Sequence, residues 1–114
     1  FNHLGTVVEI KNEKLSKGFW ATSSFMASYY NLTLVISNWL KSKGIKEKEA
    51  ERYTRELFYA LSADSLNKES ITLKKLVRDS QTPGGTNASV INDLRKNKFY
   101  EIQKKALNKI LKKF

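Results

Sequence analysis

The chain has 114 residues, enough for one modest core and too few for two independent ones. It contains no cysteine, which excludes disulfides, thiolate metal sites and a cysteine nucleophile, and fits a reducing cytoplasm. Its formal charge of +10, from 21 Lys and Arg against 11 Asp and Glu, raises nucleic acid or an anionic membrane surface as partners.

The excess is lysine, 17 against 4 arginines, and arginine is the residue suited to bidentate phosphate and guanine contacts. Nucleic acid is therefore not the expected partner. A hydrophobic content of 40% is low for a globular chain, and such chains often complete their core by dimerising. The single histidine, His3, has no second histidine or cysteine to share a metal with, so a solvated side chain is expected and no metal site. The sequence opens FNHLG, without methionine or a signal peptide, and is expected to be one domain, 1–114, of a longer protein.

TVVEI, 6–10, suits a short strand or an extended lead-in. Residues 15–40 read as a helix bent near Thr22–Ser24. From Phe19 to Leu40 there is no charge, and Trp20 and Trp39 stand near the two ends, the outline of a membrane span. Eight of those 22 residues are polar, however, from Thr22 to Asn38, and burial at a protein–protein core suits them better than lipid does. Gly44 ends the helix, after Lys41 and Lys43, which complement its dipole.

A second helix is expected over 46–66, with Glu47, Glu49 and Glu51 at its positive end. Its expected apolar face is Ala50, Tyr53, Leu57, Ala60 and Leu61. Ser70 is the expected N-cap of a short helix, 71–80, with Leu73, Leu76 and Val77 buried. Another helix spans 87–96, with Val90, Ile91 and Leu94 inward, and Asn97 breaks it. The last, 98–113, carries Phe99, Ile102, Ala106 and Ile110 on one stripe, extended by Phe114, and lysines 104, 105, 109, 112 and 113 opposite. That lysine face reads as a solvated face over a packed stripe, with a membrane-surface helix as the alternative. The fold class is all-α.

Between the short helix and 87–96 lies TPGGTN, 82–87, with the only proline of the chain. Pro83-Gly84 suits the central positions of a type II turn. Gly85 admits close approach of a backbone or ligand, and Thr86 or Asn87 is placed to cap the next helix. The free N–H groups of a first helical turn form a potential anion site for a small carboxylate or phosphate, although such a loop can equally be a plain connection. No P-loop, GxGxxG, metal cluster or nucleophile–base pair accompanies it.

The run LKKLVRDSQTPGGTNASVINDLRKNKFYEIQKKALNKI, 73–110, resembles the C-terminal dimerisation domain of Δ1-pyrroline-5-carboxylate reductases, in which S-P-G-G-T-T joins a short helix to the next. FNHLGTVVEI and the helices around Gly44 also have counterparts there, so the resemblance spans the chain, with TPGGTN as its specific part. It implies a helical fold of the 6-phosphogluconate dehydrogenase C-terminal-like type, an interlocked homodimer with the substrate pocket near the dimer interface. An N-terminal Rossmann domain binding NADP or NAD would complete the enzyme, and no cofactor is expected on this domain alone.

Carried onto this sequence, the resemblance implies a small-carboxylate site at Thr82, Gly84, Gly85, Thr86 and Asn87, with backbone N–H groups holding the acid. Thr82 stands where the family has serine and keeps the hydroxyl. Asn87 stands where the family has a second threonine, whose hydroxyl lies near the substrate ring nitrogen. The family's S-G-S-G-P-A-Y falls in TSSFMASYY, where Ser24 and Ala27 match and both glycines and the proline are lost. Ser24 is thereby a further substrate-binding candidate, and no catalytic residue is expected in this segment. The rivals are a helical dimerisation module that has lost the chemistry, and a basic helical protein for nucleic acid or membrane.

Overall fold

The structure, a computed structural model, describes residues 13–113. The extended segment expected at 6–10, His3 and Phe114 lie outside them. The described residues are all-α: α1 (Glu13–Thr22), a 3-10 turn (Ser23–Phe25), α2 (Met26–Ser42), α3 (Glu47–Asn67), α4 (Leu73–Asp79), α5 (Thr86–Lys96) and α6 (Phe99–Leu111).

The bend expected near Thr22–Ser24 is the 3-10 turn. Thr22 Oγ1 donates to the Phe19 carbonyl at 2.7 Å and Ser23 Oγ to that of Trp20 at 2.5 Å. Hydroxyls that compete for their own helix's carbonyls bend it, and here two act in succession.

The end of α2 also follows its sequence. Gly44 has φ +101°, its N–H donates to the Lys41 carbonyl at 3.0 Å, and the Ile45 N–H reaches back to Leu40 at 3.2 Å. That pair of bonds is a Schellman motif, which uses two carbonyls the helix end leaves without partners. The chain then reverses into α3, giving an antiparallel hairpin in which Tyr29 near one end of α2 meets Phe58 of α3 edge-on, centroids 6.0 Å apart.

The α2–α3 hairpin is the most extensive packing in the chain, while α6 packs on both α1 and α5. The residues buried where the hairpin closes are small: Ser37 on α2, Ala50 and Thr54 on α3. Small side chains let two backbones approach closely, and the Thr54 hydroxyl is satisfied by the Ala50 carbonyl at 2.9 Å. Ala21 of α1 is buried in the same way.

The large apolar side chains lie elsewhere. Trp20, Met26, Tyr30, Val35 and Trp39 are each more than half exposed. The radius of gyration is 16.6 Å, against about 13 Å for a compact domain of about 100 residues. The single chain is an open frame with its largest apolar groups on the outside.

Several expected faces are corrected accordingly. On α3 the expected Ala50 is buried, joined by Thr54, while Tyr53 and Leu61 of the expected face are more than half exposed. On α4, Leu73 is 71% exposed and Val77 40%, leaving Leu76 as its half-buried residue. On α5 Val90 faces outward while Ala88, Ile91 and Leu94 form the inner line. On α6 the inner line is Phe99, Gln103, Leu107 and Ile110, with Ile102 and Ala106 exposed. In each case the 3.6-residue period is right, and the phase is set by which side the rest of this chain occupies.

One cap here also differs from expectation, and one stop agrees with it. Thr72, not Ser70, caps α4, accepting from the Lys75 N–H at 3.1 Å. Asn97 does end α5, its amide donating to the Asp93 carbonyl at 2.8 Å. Lys98 follows in the left-handed region, φ 63°, and turns the chain into α6. Lysines 104, 105 and 109 are exposed along α6, and lysines 112 and 113 are exposed just past its end. No helix among the described residues is long and apolar enough to cross a membrane.

Candidate carboxylate corner

The loop between α4 and α5 is built entirely from local interactions. Asp79 closes α4, where Lys75 Nζ donates to its carboxylate at 2.8 Å and Arg78 Nε at 3.2 Å. The hydrogen bond from Lys75, followed by that from Arg78, holds the Asp79 carboxyl below its ordinary 3.8. The two cations against one carboxylate leave a net positive charge at the entrance to the loop. Ser80 Oγ and Gln81 Nε2 both donate to the Val77 carbonyl, at 3.0 and 2.9 Å, which secures the last turn of α4.

The turn itself follows. The Gly85 N–H donates to the Thr82 carbonyl at 2.7 Å, and Gly84 has φ +75°. A proline at the first central position cannot take positive φ, so this combination defines a type II turn over Thr82–Gly85, as Pro83-Gly84 predicts. Gly84 is needed for its dihedral, since a Cβ there would meet nothing within 4 Å. Gly85 is needed for space: a Cβ would lie 2.9 Å from the Thr82 carbonyl oxygen, so the close approach expected there is made by the chain's own backbone.

The capping expectation is corrected. Gly85 itself is the N-cap of α5, in extended backbone with φ −83° and ψ 172°, and no side chain caps this end. Thr86 and Asn87 are the first and second helical residues, not the cap. The first intrahelical bond runs from the Ser89 N–H to the Gly85 carbonyl at 3.1 Å. The N–H groups of Thr86, Asn87 and Ala88 therefore precede the hydrogen-bonded ladder and sit at the positive end of an 11-residue helix. The signal for this cap was available in the spacing. A type II turn whose last residue is Gly85 leaves no spacer before a helix that starts at 86.

The structure brings five of the six candidate residues, Thr82, Gly84, Gly85, Thr86 and Asn87, into this one corner. Ser24 is placed elsewhere in the single chain. It sits in the 3-10 turn and lines a cavity of about 220 Å³ against α6, with Ser28, Gln103 and Ala106, to which residues 82–87 contribute nothing.

A family model for pyrroline-5-carboxylate reductase dimerisation matches residues 13–114. Comparison with curated proteins and with solved structures returned no match. An all-α chain whose short and long helices are joined by a Pro-Gly-Gly turn, and whose large apolar side chains are left on the outside, agrees with that match over the same residues. The chain belongs to the pyrroline-5-carboxylate reductase dimerisation family.

Proposed function

We propose that this is the dimerisation and substrate-binding domain of a pyrroline-5-carboxylate reductase-like oxidoreductase. The whole enzyme would transfer hydride from NADPH or NADH to the C=N bond of a small cyclic imino acid, as in proline synthesis. The nicotinamide supplies the chemistry, bound by a Rossmann domain outside this segment, and this domain supplies the assembly and the anchor for the acid. A cytoplasmic setting belongs to the same reading.

The observation that carries it is the uncapped N-terminus of α5 behind the Thr82–Gly85 turn. A carboxylate placed there accepts from backbone N–H groups and meets the positive end of the helix dipole. The exposed apolar groups of α1 and α2 support an interlocked homodimer, in which a second copy covers them and completes the pocket around the corner.

The test is a substrate screen of the full-length protein with NADPH and NADH. Reduction of pyrroline-5-carboxylate or a related cyclic imine is expected, and abolished carboxylate binding in a Gly85→Ala variant should accompany lost turnover. The isolated 114 residues are expected to show no turnover with NADPH. Turnover by that segment alone would contradict the division of labour.

A second reading has its own support. Asn87 offers an amide where the family has a hydroxyl, and TSSFMASYY lacks the family's glycines and proline. A domain that kept the dimer fold and lost the chemistry accounts for both. In that case the full-length protein dimerises and no cyclic imine is turned over with either cofactor.

A further inference from the structure

Charge is distributed unevenly along the chain. Residues 95–114 hold eight of its 21 basic residues and one of its 11 acidic ones, a net +7, and the first 94 residues carry the remaining +3. A lysine-rich composition does not by itself produce such a step, because it acts on every segment alike. The two parts also differ in pairing. Before Arg95, seven described basic residues lie within 3.9 Å of a carboxylate, from Lys17 with Glu13 to Arg78 with Asp79. Among the described residues from Arg95 onward, only Lys104 is so paired, with Glu101 at 3.2 Å.

Three of these lysines fall in one line on α6. Ile102, Lys105 and Lys109 on the helix and Lys112 at its C-cap recur every three or four residues, a line about 15 Å long at about 1.5 Å per residue. All four are exposed, on the side away from Phe99, Gln103, Leu107 and Ile110. Lys98 before the helix and Lys113 after it extend the charge at both ends. Like charges three or four residues apart destabilise a helix, and Lys105–Lys109, Lys109–Lys112 and Lys109–Lys113 are such pairs. An anionic surface beside them relieves that repulsion. Ile102, 59% exposed, and Ala106 lie beside the lysines rather than in the packed line, so the face offers apolar contact as well as charge.

We propose that this face of α6 docks on an anionic lipid surface, with its lysines among the headgroups and Ile102 at the acyl boundary. Charge complementarity selects an anion, and two features select lipid over nucleic acid. Seven of the eight basic residues in 95–114 are lysines. Lysine is a flexible point charge that suits a fluid array of headgroups, whereas fixed phosphate geometry favours the arginine fork. A duplex gives an exposed isoleucine nothing to bury in, and a bilayer interface does. The face lies on a different element from the 82–87 corner.

Flotation of the full-length protein with lipid vesicles tests it. Vesicles of phosphatidylcholine with about one-third phosphatidylserine should bind at least about tenfold more tightly than phosphatidylcholine alone, and about 0.5 M salt should remove the difference. A lysine near an anionic leaflet is worth about fivefold in affinity, so the triple variant Lys105→Gln, Lys109→Gln, Lys112→Gln should bind about a hundredfold more weakly. Glutamine is a good helix former and the three positions are exposed, so an unchanged circular dichroism spectrum is expected. Ile102→Ser should weaken binding severalfold with the charge untouched. Absence of binding by the wild-type protein to the phosphatidylserine vesicles would overturn the proposal, including the case in which a second copy or another domain covers α6. Equal binding to phosphatidylcholine alone, or unchanged affinity in the folded glutamine variant, would overturn it as well. Tighter binding to a duplex DNA fragment than to the phosphatidylserine vesicles at the same salt would overturn lipid as the partner.

Discussion

The α2–α3 hairpin and the Thr82–Asn87 corner solve opposite problems. The corner is complete in one chain: a turn bond from Gly85 to Thr82, one positive φ at Gly84, and a helix that starts at once. The hairpin is incomplete. Its closed end is buried through Ser37, Ala50 and Thr54, while Tyr30, Val35 and Trp39 on the same elements face outward. A short-range hydrogen-bonded device needs no partner, whereas an apolar surface of this extent does. Substitutions in the two regions should therefore differ in kind, one set reading assembly and the other local geometry.

The largest effect is expected at Trp39. Covering a large apolar side chain is worth about 1.5–3 kcal/mol, and a symmetric dimer covers two copies. Trp39→Glu should raise the dimer dissociation constant by at least about a hundredfold, read by sedimentation velocity over a concentration series. A wild-type chain that sediments as a stable 13 kDa monomer at micromolar concentration would refute the interface reading of 19–40 altogether.

Next come the two glycines, which separate conformation from space. Gly85→Ala must push the Thr82 carbonyl aside, because the new Cβ would lie 2.9 Å from its oxygen. A cost of about 1–3 kcal/mol follows, together with loss of carboxylate binding at the corner. Gly84→Ala meets no neighbour, and its cost is that of φ +75° alone, about 1–2 kcal/mol. Chemical denaturation of both variants ranks them, and equal sedimentation behaviour to wild type would show that the corner and the dimer seam are separate devices.

The same contrast explains what the sequence made legible. Gly44, Pro83-Gly84, Asn97 and the Thr22–Ser24 bend each act within four or five residues, so their residue types alone specify the outcome. Periodicity placed an apolar face on α3, but it could not say that Ala50 and Thr54 would meet α2 while Tyr53 and Leu61 were left outside. In a chain of a dimerisation family, apolar residues serve two surfaces, and a 3.6-residue pattern carries no label for which. Small residues carry that information better, because close helix approach selects them. Of the candidate site, the loop was legible and Ser24 was not, since its placement depends on how α1 and α6 pack.

Lys98 offers a smaller effect of opposite sign. It holds φ 63° between α5 and α6, a conformation that costs an L-residue about 1–2 kcal/mol. Glycine removes that strain and adds back about 0.5–1 kcal/mol of unfolded-state entropy. Lys98→Gly should stabilise the chain by about 0.5–1 kcal/mol, visible as a raised midpoint in urea at unchanged slope.

The smallest effect is a pH dependence at the mouth of the corner. Asp79 is hydrogen-bonded by Lys75 and Arg78 in the folded chain, which places its folded pKa below the ordinary 3.8 of the unfolded one. A carboxyl whose pKa falls on folding contributes stability above its unfolded value and loses that contribution as pH drops through the folded value. Asp79→Asn should therefore lower stability slightly at neutral pH and narrow its difference from wild type below about 3.8. The group is exposed and screened by solvent, so raising the salt concentration should shrink the neutral-pH difference as well. Sedimentation should not change, because the charge cluster sits at the end of α4 rather than on the apolar seam. A pH-dependent shift in assembly instead would tie the corner to the dimer interface through the Lys75–Asp79–Arg78 cluster.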